Sequence, residues 1–274
     1  MLTWIITGCS SGLGRHLALE ALKNGDNVVV TARNLSDIKD IADAYQNTAL
    51  PLSLDVKNNE QVHSVVKEAE KRFGSIDVLV NNAGHGYRAA VEEADEGDVS
   101  ELFATNFFGP VALIKAVLPG MRARLSGTIV NISSIAARTT APGSGYYSAT
   151  KCALEGLSRG LQKEVSPLGL SVIIVEPGAF RTEFAGRSLQ QSQSSIADYA
   201  NTAGHRRKEN DKTHGLQQGD PVKGAQLIIK AVNAEKPPLL LLLGSDAVQV
   251  VSDALAADQS QVELWKEDSR TTDY

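Results

Sequence analysis

Cysteine is scarce: Cys9 and Cys152 are the only two in 274 residues, far too few for a disulfide framework. A reducing compartment is the simpler expectation. An excess of basic charge is also missing. Lysine and arginine number 27 against 32 acidic residues, a net charge of -5, whereas a general nucleic-acid binder would usually be basic. The longest leucine run, Leu239 to Leu243, is much too short to span a bilayer, so no membrane span is expected. The first residues show no basic stretch followed by an apolar stretch and a cleavage site. The expectation is a soluble, cytoplasmic protein. His16, His63, His85, His205 and His214 lack the spacing of metal ligands, and no metal is expected. Internal repeats are absent, and the Gln/Ser-rich patch from Leu189 to Ser195 is too short to count as low complexity.

What is present reads as an ordinary globular chain with a full core, 42% hydrophobic and 22% charged. The length suits one large α/β domain, here taken as residues 1–274. Leu2 to Thr7 is a short apolar run with β-branched residues, followed by Thr7-Gly8-Cys9-Ser10-Ser11-Gly12-Leu13-Gly14 and a helical pattern from Arg15 to Lys23. Strand, glycine-rich turn and helix in that order support phosphate binding: Gly8 permits the turn, Gly12 lets backbone amides approach a pyrophosphate, and Gly14 allows close helix packing.

Asn27 to Thr31 reads as the second strand. Dinucleotide-binding loops usually have an acid about 20 residues further on, bonding the ribose 2′-hydroxyl. This chain has Thr31, Ala32 and Arg33 there, so a guanidinium is placed to grip a 2′-phosphate and NADP(H) is expected over NAD(H). Helix at Leu35 to Gln46, strand at Ala49 to Leu54, helix at Asn59 to Phe73 and strand at Ile76 to Val80 continue the alternation. The third strand ends at Asp55-Val56, where a carboxylate could meet an adenine amino group; the fourth feeds Asn81-Asn82-Ala83-Gly84. Such Val/Ile/Leu-rich strands between helices argue for a Rossmann-type, doubly wound parallel sheet of about seven strands, with ligands outside the strands' carboxyl ends.

One long helix is expected from Asp98 to about Arg124, with Asn106 on an otherwise apolar stretch. Gly127 to Ile132 is the fifth strand and ends at Ser133-Ser134. A small-residue loop, Ala136 to Gly145, leads to a helix that runs to about Pro167 and carries Tyr147-Ser148-Ala149-Thr150-Lys151. Positions i and i+4 share a helix face. An ammonium beside a phenol favours the phenolate and would make Tyr147 a working acid or base. Ser171 to Val175 is the sixth strand, before Pro177-Gly178-Ala179-Phe180-Arg181-Thr182. A polar segment, 183–220, is expected to form a helical lid. Its run His205-Arg206-Arg207-Lys208 is read as a solvated face. A helix at Pro221 to Asn233, a seventh strand at Pro238 to Leu242, and a helical extension from Ser245 to about Asp268 complete the chain.

Taken together, these motifs resemble the short-chain dehydrogenase/reductase family. They are Thr7-Gly8-x-x-x-Gly12-x-Gly14, Asn81-Asn82-Ala83-Gly84, Asn106, Ser134, Tyr147-x-x-x-Lys151 and Pro177-Gly178-x-x-x-Thr182. The resemblance implies a catalytic tetrad of Asn106, Ser134, Tyr147 and Lys151. Tyr147 would exchange a proton with the substrate oxygen, Ser134 would orient that oxygen, and Lys151 would lower the phenol's pKa and hold the nicotinamide ribose. Asn106 would hold a water linking Lys151 to solvent. By the same resemblance Gly8, Ser10, Ser11, Gly12, Leu13, Arg33, Asp55, Val56, Asn82, Ala83 and Gly84 line the cofactor, with Pro177, Gly178, Ala179 and Thr182 at its nicotinamide end. Ser133 and Tyr146 are rivals for the serine and tyrosine roles. The thirteen-residue spacing to Tyr147 favours Ser134, and Tyr146 has Thr150 rather than a lysine four residues on.

The chain departs from the family at one point: where relatives often have glycine three residues after the serine, it has Ala137, then Arg138. The implied activity is hydride transfer between NADP(H) and a ketone, aldehyde or secondary alcohol, with a hydrophobic or medium-sized substrate. A non-catalytic dinucleotide sensor is the alternative, although such relatives usually lose the tyrosine or lysine. Epimerase-like relatives tend to be longer, with another glycine spacing. A homo-oligomer, dimer or tetramer, is also implied, with the C-terminal extension able to block or replace one of its contacts.

Overall fold

The computed structural model describes residues 1–186, 188–213 and 215–274, so His214 lies outside the described residues. The strands are β1 (Thr3–Ile6), β2 (Asn27–Ala32), β3 (Ala49–Ser53), β4 (Val78–Asn81), β5 (Gly86–Arg88), β6 (Gly127–Ile132), β7 (Leu170–Pro177), β8 (Leu189–Gln191) and β9 (Leu240–Leu243). Seven of them form one sheet in the order β3-β2-β1-β4-β6-β7-β9, every pair parallel. The chain winds outward from β1 to β3, then crosses back to β4 on β1's other side. That reversal opens a crevice between the carboxyl ends of β1 and β4.

Side-chain alternation sends successive strand residues to opposite faces. On β1, Trp4 and Ile6 join one core and Ile5 the other. The first core is closed by helices α1 (Gly12–Lys23), α2 (Lys39–Ala44) and α8 (Pro221–Val232) through Leu17, Ala21, Ile41, Ala225 and Ile228. The second is closed by α3 (Asn59–Phe73), α5 (Gly109–Arg124) and α6 (Gly145–Val165) through Val62, Val65, Leu113, Val117 and Leu161. Each such Leu, Ile or Val side chain contributes about 1.5–3 kcal/mol on burial. A parallel sheet needs this cover on both faces.

Two features differ from the sequence expectation, the long helix and segment 183–220. The stretch expected as one helix is α4 (Glu96–Phe103), a π-turn at Ala104–Phe108, and α5. By length and composition Glu96–Arg124 is apolar enough to cross a membrane, a property the leucine-run count did not register. Here its Leu113, Ile114, Val117 and Met121 pack into the second core, as core helices do. Among its described residues, segment 183–220 holds one α-helix, α7 (Ala203–Thr213), with short turns before it. It also supplies β8, which pairs in parallel with β5 in a small second sheet. The C-terminal extension is helix α9 (Ser245–Arg270), of which only Ala247 and Val251 are buried; its Trp265 is 61% exposed.

Candidate active site

The glycine-rich turn lies at the crevice. Gly12 has φ 61°, in the left-handed region, and opens α1 behind Ser11, whose side chain makes no capping hydrogen bond. The first-turn amides of α1 therefore border the cleft with the positive end of the helix dipole. Gly14 is fixed by close approach: a Cβ there would stand 2.2 Å from Asn82 Nδ2. That amide donates to the carbonyls of Thr7 (2.8 Å) and Gly8 (3.2 Å). The Thr7 hydroxyl in turn accepts from the backbone N–H groups of Asn82 and Ala83, each at 2.9 Å. The end of β4 and the glycine turn are thus one hydrogen-bonded unit.

One cleft of about 740 Å³ runs along the strand ends, within the roughly 300–1,000 Å³ typical of small-molecule and cofactor sites. Gly8, Ser10, Ser11, Gly12, Leu13, Asn82, Ala83 and Gly84 line its middle; Arg33, Asp55 and Val56 line one end. Ser134, Tyr147, Lys151, Pro177, Gly178, Ala179 and Thr182 line the rest. Of the tetrad and cofactor-lining residues that the resemblance implies, Asn106 alone is not among those lining the cleft. It sits in the π-turn, 1% exposed, accepting from the backbone N–H of His85 at 3.0 Å and donating to that residue's carbonyl at 2.9 Å. A Cβ on Gly84 would come within 3.0 Å of Asn106 Oδ1 and 3.8 Å of Lys151 Nζ, so that glycine lets the wall, the amide and the lysine converge.

Tyr147 and Lys151 are both buried on α6, the ammonium 5.7 Å from the ring centroid. Lys151 donates to the carbonyl of Ile132 at 2.8 Å. Burial pushes the Tyr147 phenol up to about 12, against the pull of its hydrogen bond with Ser134 and of the Arg88 charge. Burial also lowers the Lys151 ammonium to about 8, opposed by Glu155. Desolvation thus outweighs the pull of Ser134 and Arg88, and the phenol's shift runs opposite to the lowering expected from Lys151. Ser134 lines the cleft and accepts from the Ala136 amide at 3.1 Å. Its rival Ser133 gives its proton to Glu155 at 2.7 Å. The other rival, Tyr146, donates to the Val91 carbonyl.

These shifts fix a pH dependence. Lys151 is depressed in the folded state, so its stabilising contribution is present above the normal lysine value of 10.5 and is lost as pH falls towards about 8. Tyr147 is raised, so its contribution is present below 10.0 and is lost as pH rises towards about 12. Melting temperatures taken across pH should show Lys151→Met removing the first slope and Tyr147→Phe the second. An unchanged slope in either variant would contradict the burial assigned to that group.

Several cleft residues were not singled out from sequence. Phe184 sets its ring 5.7 Å from that of Tyr147. Ser188, Gln190 and Gln217 join it from segment 183–220, and Arg206, expected on a solvated face, lines the cleft as well. Asp246, at the start of α9, accepts from the Ala179 amide at 2.7 Å and braces the Pro177–Thr182 turn. No local spacing announces these residues; only the return of distant segments to the strand ends brings them there.

The sheet order, the crevice and the glycine turn define a Rossmann-type α/β protein. Within that class, a family model described as short chain dehydrogenase matches residues 3–193, and the chain belongs to the short-chain dehydrogenase/reductase family. It is similar to "Oxidoreductase BOA17" of Botryotinia fuckeliana (strain B05.10), 38% identical over 265 residues covering 96% of each chain. Among solved structures it is similar to a short-chain dehydrogenase from Streptomyces avermitilis, at 42% identity, 100% of both chains and a TM-score of 0.93. It is also similar to the protein ElxO with NADP bound, at 28% identity, 90% of this chain and 99% of that one, with a TM-score of 0.74.

Proposed function

We propose that this oxidoreductase transfers a hydride between NADP(H) and a ketone, aldehyde or secondary alcohol. The observation that carries the reading is the buried Tyr147–Lys151 pair beside Ser134, in the same cleft as the glycine turn. The cleft suits a dinucleotide: the α1 N-terminus takes the pyrophosphate, Asp55 and Val56 flank the adenine, and Lys151 holds the nicotinamide ribose. Bound NADP(H) supplies or accepts the hydride. In reduction Tyr147 gives its hydroxyl proton to the carbonyl oxygen as negative charge develops there; in oxidation the phenolate takes the proton of the alcohol. The Ser134 hydroxyl donates to the same oxygen and fixes its position. Lys151 stabilises the phenolate once the proton has left. Asn106 holds the water that reconnects Lys151 with solvent.

Segment 183–220 acts as the lid, and Phe184 against Tyr147 supports a substrate with an apolar face. The sensor alternative gains nothing from a cleft that keeps the tyrosine, the lysine and the serine together.

Cofactor choice rests on Arg33, exposed at the cleft, and on the NADP-bound relative. A charge-assisted hydrogen bond contributes about 1.5–3 kcal/mol. Arg33→Ser should therefore weaken NADPH binding roughly 10- to 100-fold and leave NADH binding nearly unchanged. Titrating both cofactors by fluorescence checks this, and equal losses would remove the 2′-phosphate assignment. The activity itself is tested by NADPH oxidation against a panel of ketones and aldehydes.

A further inference from the structure

The departure at Ala137-Arg138 has a structural counterpart just behind the reacting groups. The Arg138 guanidinium donates through Nε (3.0 Å) and Nη2 (2.6 Å) to Glu176 Oε1. The same Nη2 lies 2.8 Å from Glu155 Oε2. Glu155 also accepts the Ser133 hydroxyl proton at 2.7 Å. The carboxyl side chains are 6% and 0% exposed, that of Arg138 21%. Cys152 Sγ, donating to the Ala137 carbonyl at 3.3 Å, makes a second tie between this loop and α6.

Each member of the cluster is covalently close to a reacting group. Glu155 lies one helical turn beyond Lys151 on α6, on the same face. Glu176 immediately precedes Pro177, which lines the cleft. Ser133 precedes Ser134, and Arg138 follows it by four residues. The groups facing Glu155 are Ser133 just after β6, Glu176 from β7, Arg138 from the loop, and Lys151, Cys152 and Arg159 from α6 itself. Arg159 is 3.7 Å from Glu155 and 41% exposed, and Lys151 donates to the Ile132 carbonyl, so the half-buried Arg138 is the cation that bonds both carboxyls. Without it two adjoining carboxyls would face each other in a dry site, and burial already holds that of Glu155 above the usual carboxylate range. Repulsion, or the uptake of protons, would then move the end of β7 and the Ser134 loop relative to α6.

We propose that Arg138 is a positioning residue: by bridging Glu155 and Glu176 it sets the distance between Ser134, on the loop, and the Tyr147–Lys151 pair, on the helix. The proposal rests on the hydride-transfer reading for its kinetic consequence and on geometry alone for its structural one. The two are measured separately. Arg138→Met should lower kcat about tenfold or more while KM for NADPH stays within about twofold. Arg138→Lys, which keeps the charge and loses the planar fork, should recover part of that loss. Independently of turnover, the ¹³Cζ resonance of Tyr147, identified by its absence in Tyr147→Phe, should move in the NADPH complex of Arg138→Met and move part of the way back in Arg138→Lys. If Arg138→Met does not fold, Glu155→Gln, which weakens the same bridge, should move the resonance in its place. Wild-type protein that turns over no carbonyl would overturn the activity, while the resonance would still decide the role of Arg138. An unmoved resonance with unchanged kcat, or Lys and Met variants impaired alike, would overturn the positioning role.

Discussion

Tyr147→Phe should lower carbonyl reduction by roughly 100- to 10,000-fold, the range supplied by a positioned general acid, and leave NADPH binding within about twofold. Phenylalanine keeps the ring that packs against Phe184 and removes the hydroxyl that exchanges the proton. Because Tyr147 is 8% exposed, deleting its hydroxyl removes one buried polar group and does not open the core. The variant should therefore melt near the wild-type temperature at neutral pH. Steady-state kinetics beside a cofactor titration separates the outcomes. Loss of binding along with turnover would mean that the phenol holds the cofactor and does not carry out the chemistry.

Gly14→Ala should cost about 1–5 kcal/mol of stability net. In an open helix the same change would gain about 1 kcal/mol. Here the new methyl would stand 2.2 Å from Asn82 Nδ2 and 2.8 Å from the Gly8 carbonyl. Such overpacking costs about 1–3 kcal/mol, and expelling the Asn82 amide strands the Thr7 and Gly8 carbonyls it serves, at about 1–3 kcal/mol more. The glycine turn would shift with them and NADPH binding would weaken. Gly14→Ala, Asn82→Ala and the double variant form a cycle that checks the mechanism. If the methyl and the amide compete for one space, the double variant will be more stable than the sum of the singles predicts.

Local sequence carried most of the scaffold. The bounds expected for Asn59–Phe73 and Gly127–Ile132 coincide with α3 and β6, because a strong 3.6-residue period and a β-branched run each specify one element. The π-turn at Ala104–Phe108 did not show, since an inserted residue leaves the apolar pattern of the flanking helices intact. The β5–β8 sheet was missed for another reason. Its strands are three residues each and pair Gly86 with Leu189, a contact made by tertiary closure and not by propensity. The glycine turn and the Tyr147-x-x-x-Lys151 pair were legible because both are short-range signatures; the structure brings them to one cleft. The Arg138–Glu155–Glu176 bridge joins positions with no shared period, so only the departure at Arg138 pointed towards it.

Transfer of deuterium from NADPH labelled at the reactive nicotinamide carbon is the most direct test of hydride transfer in this cleft. Product from a reduced ketone or aldehyde is analysed by mass spectrometry, with wild type beside Tyr147→Phe. The expected result is one deuterium on the new carbinol carbon in wild type and almost none in the variant over the same time. Tight NADPH binding with no label reaching any carbonyl compound, or equal labelling by the variant, would contradict a Tyr147-driven oxidoreductase.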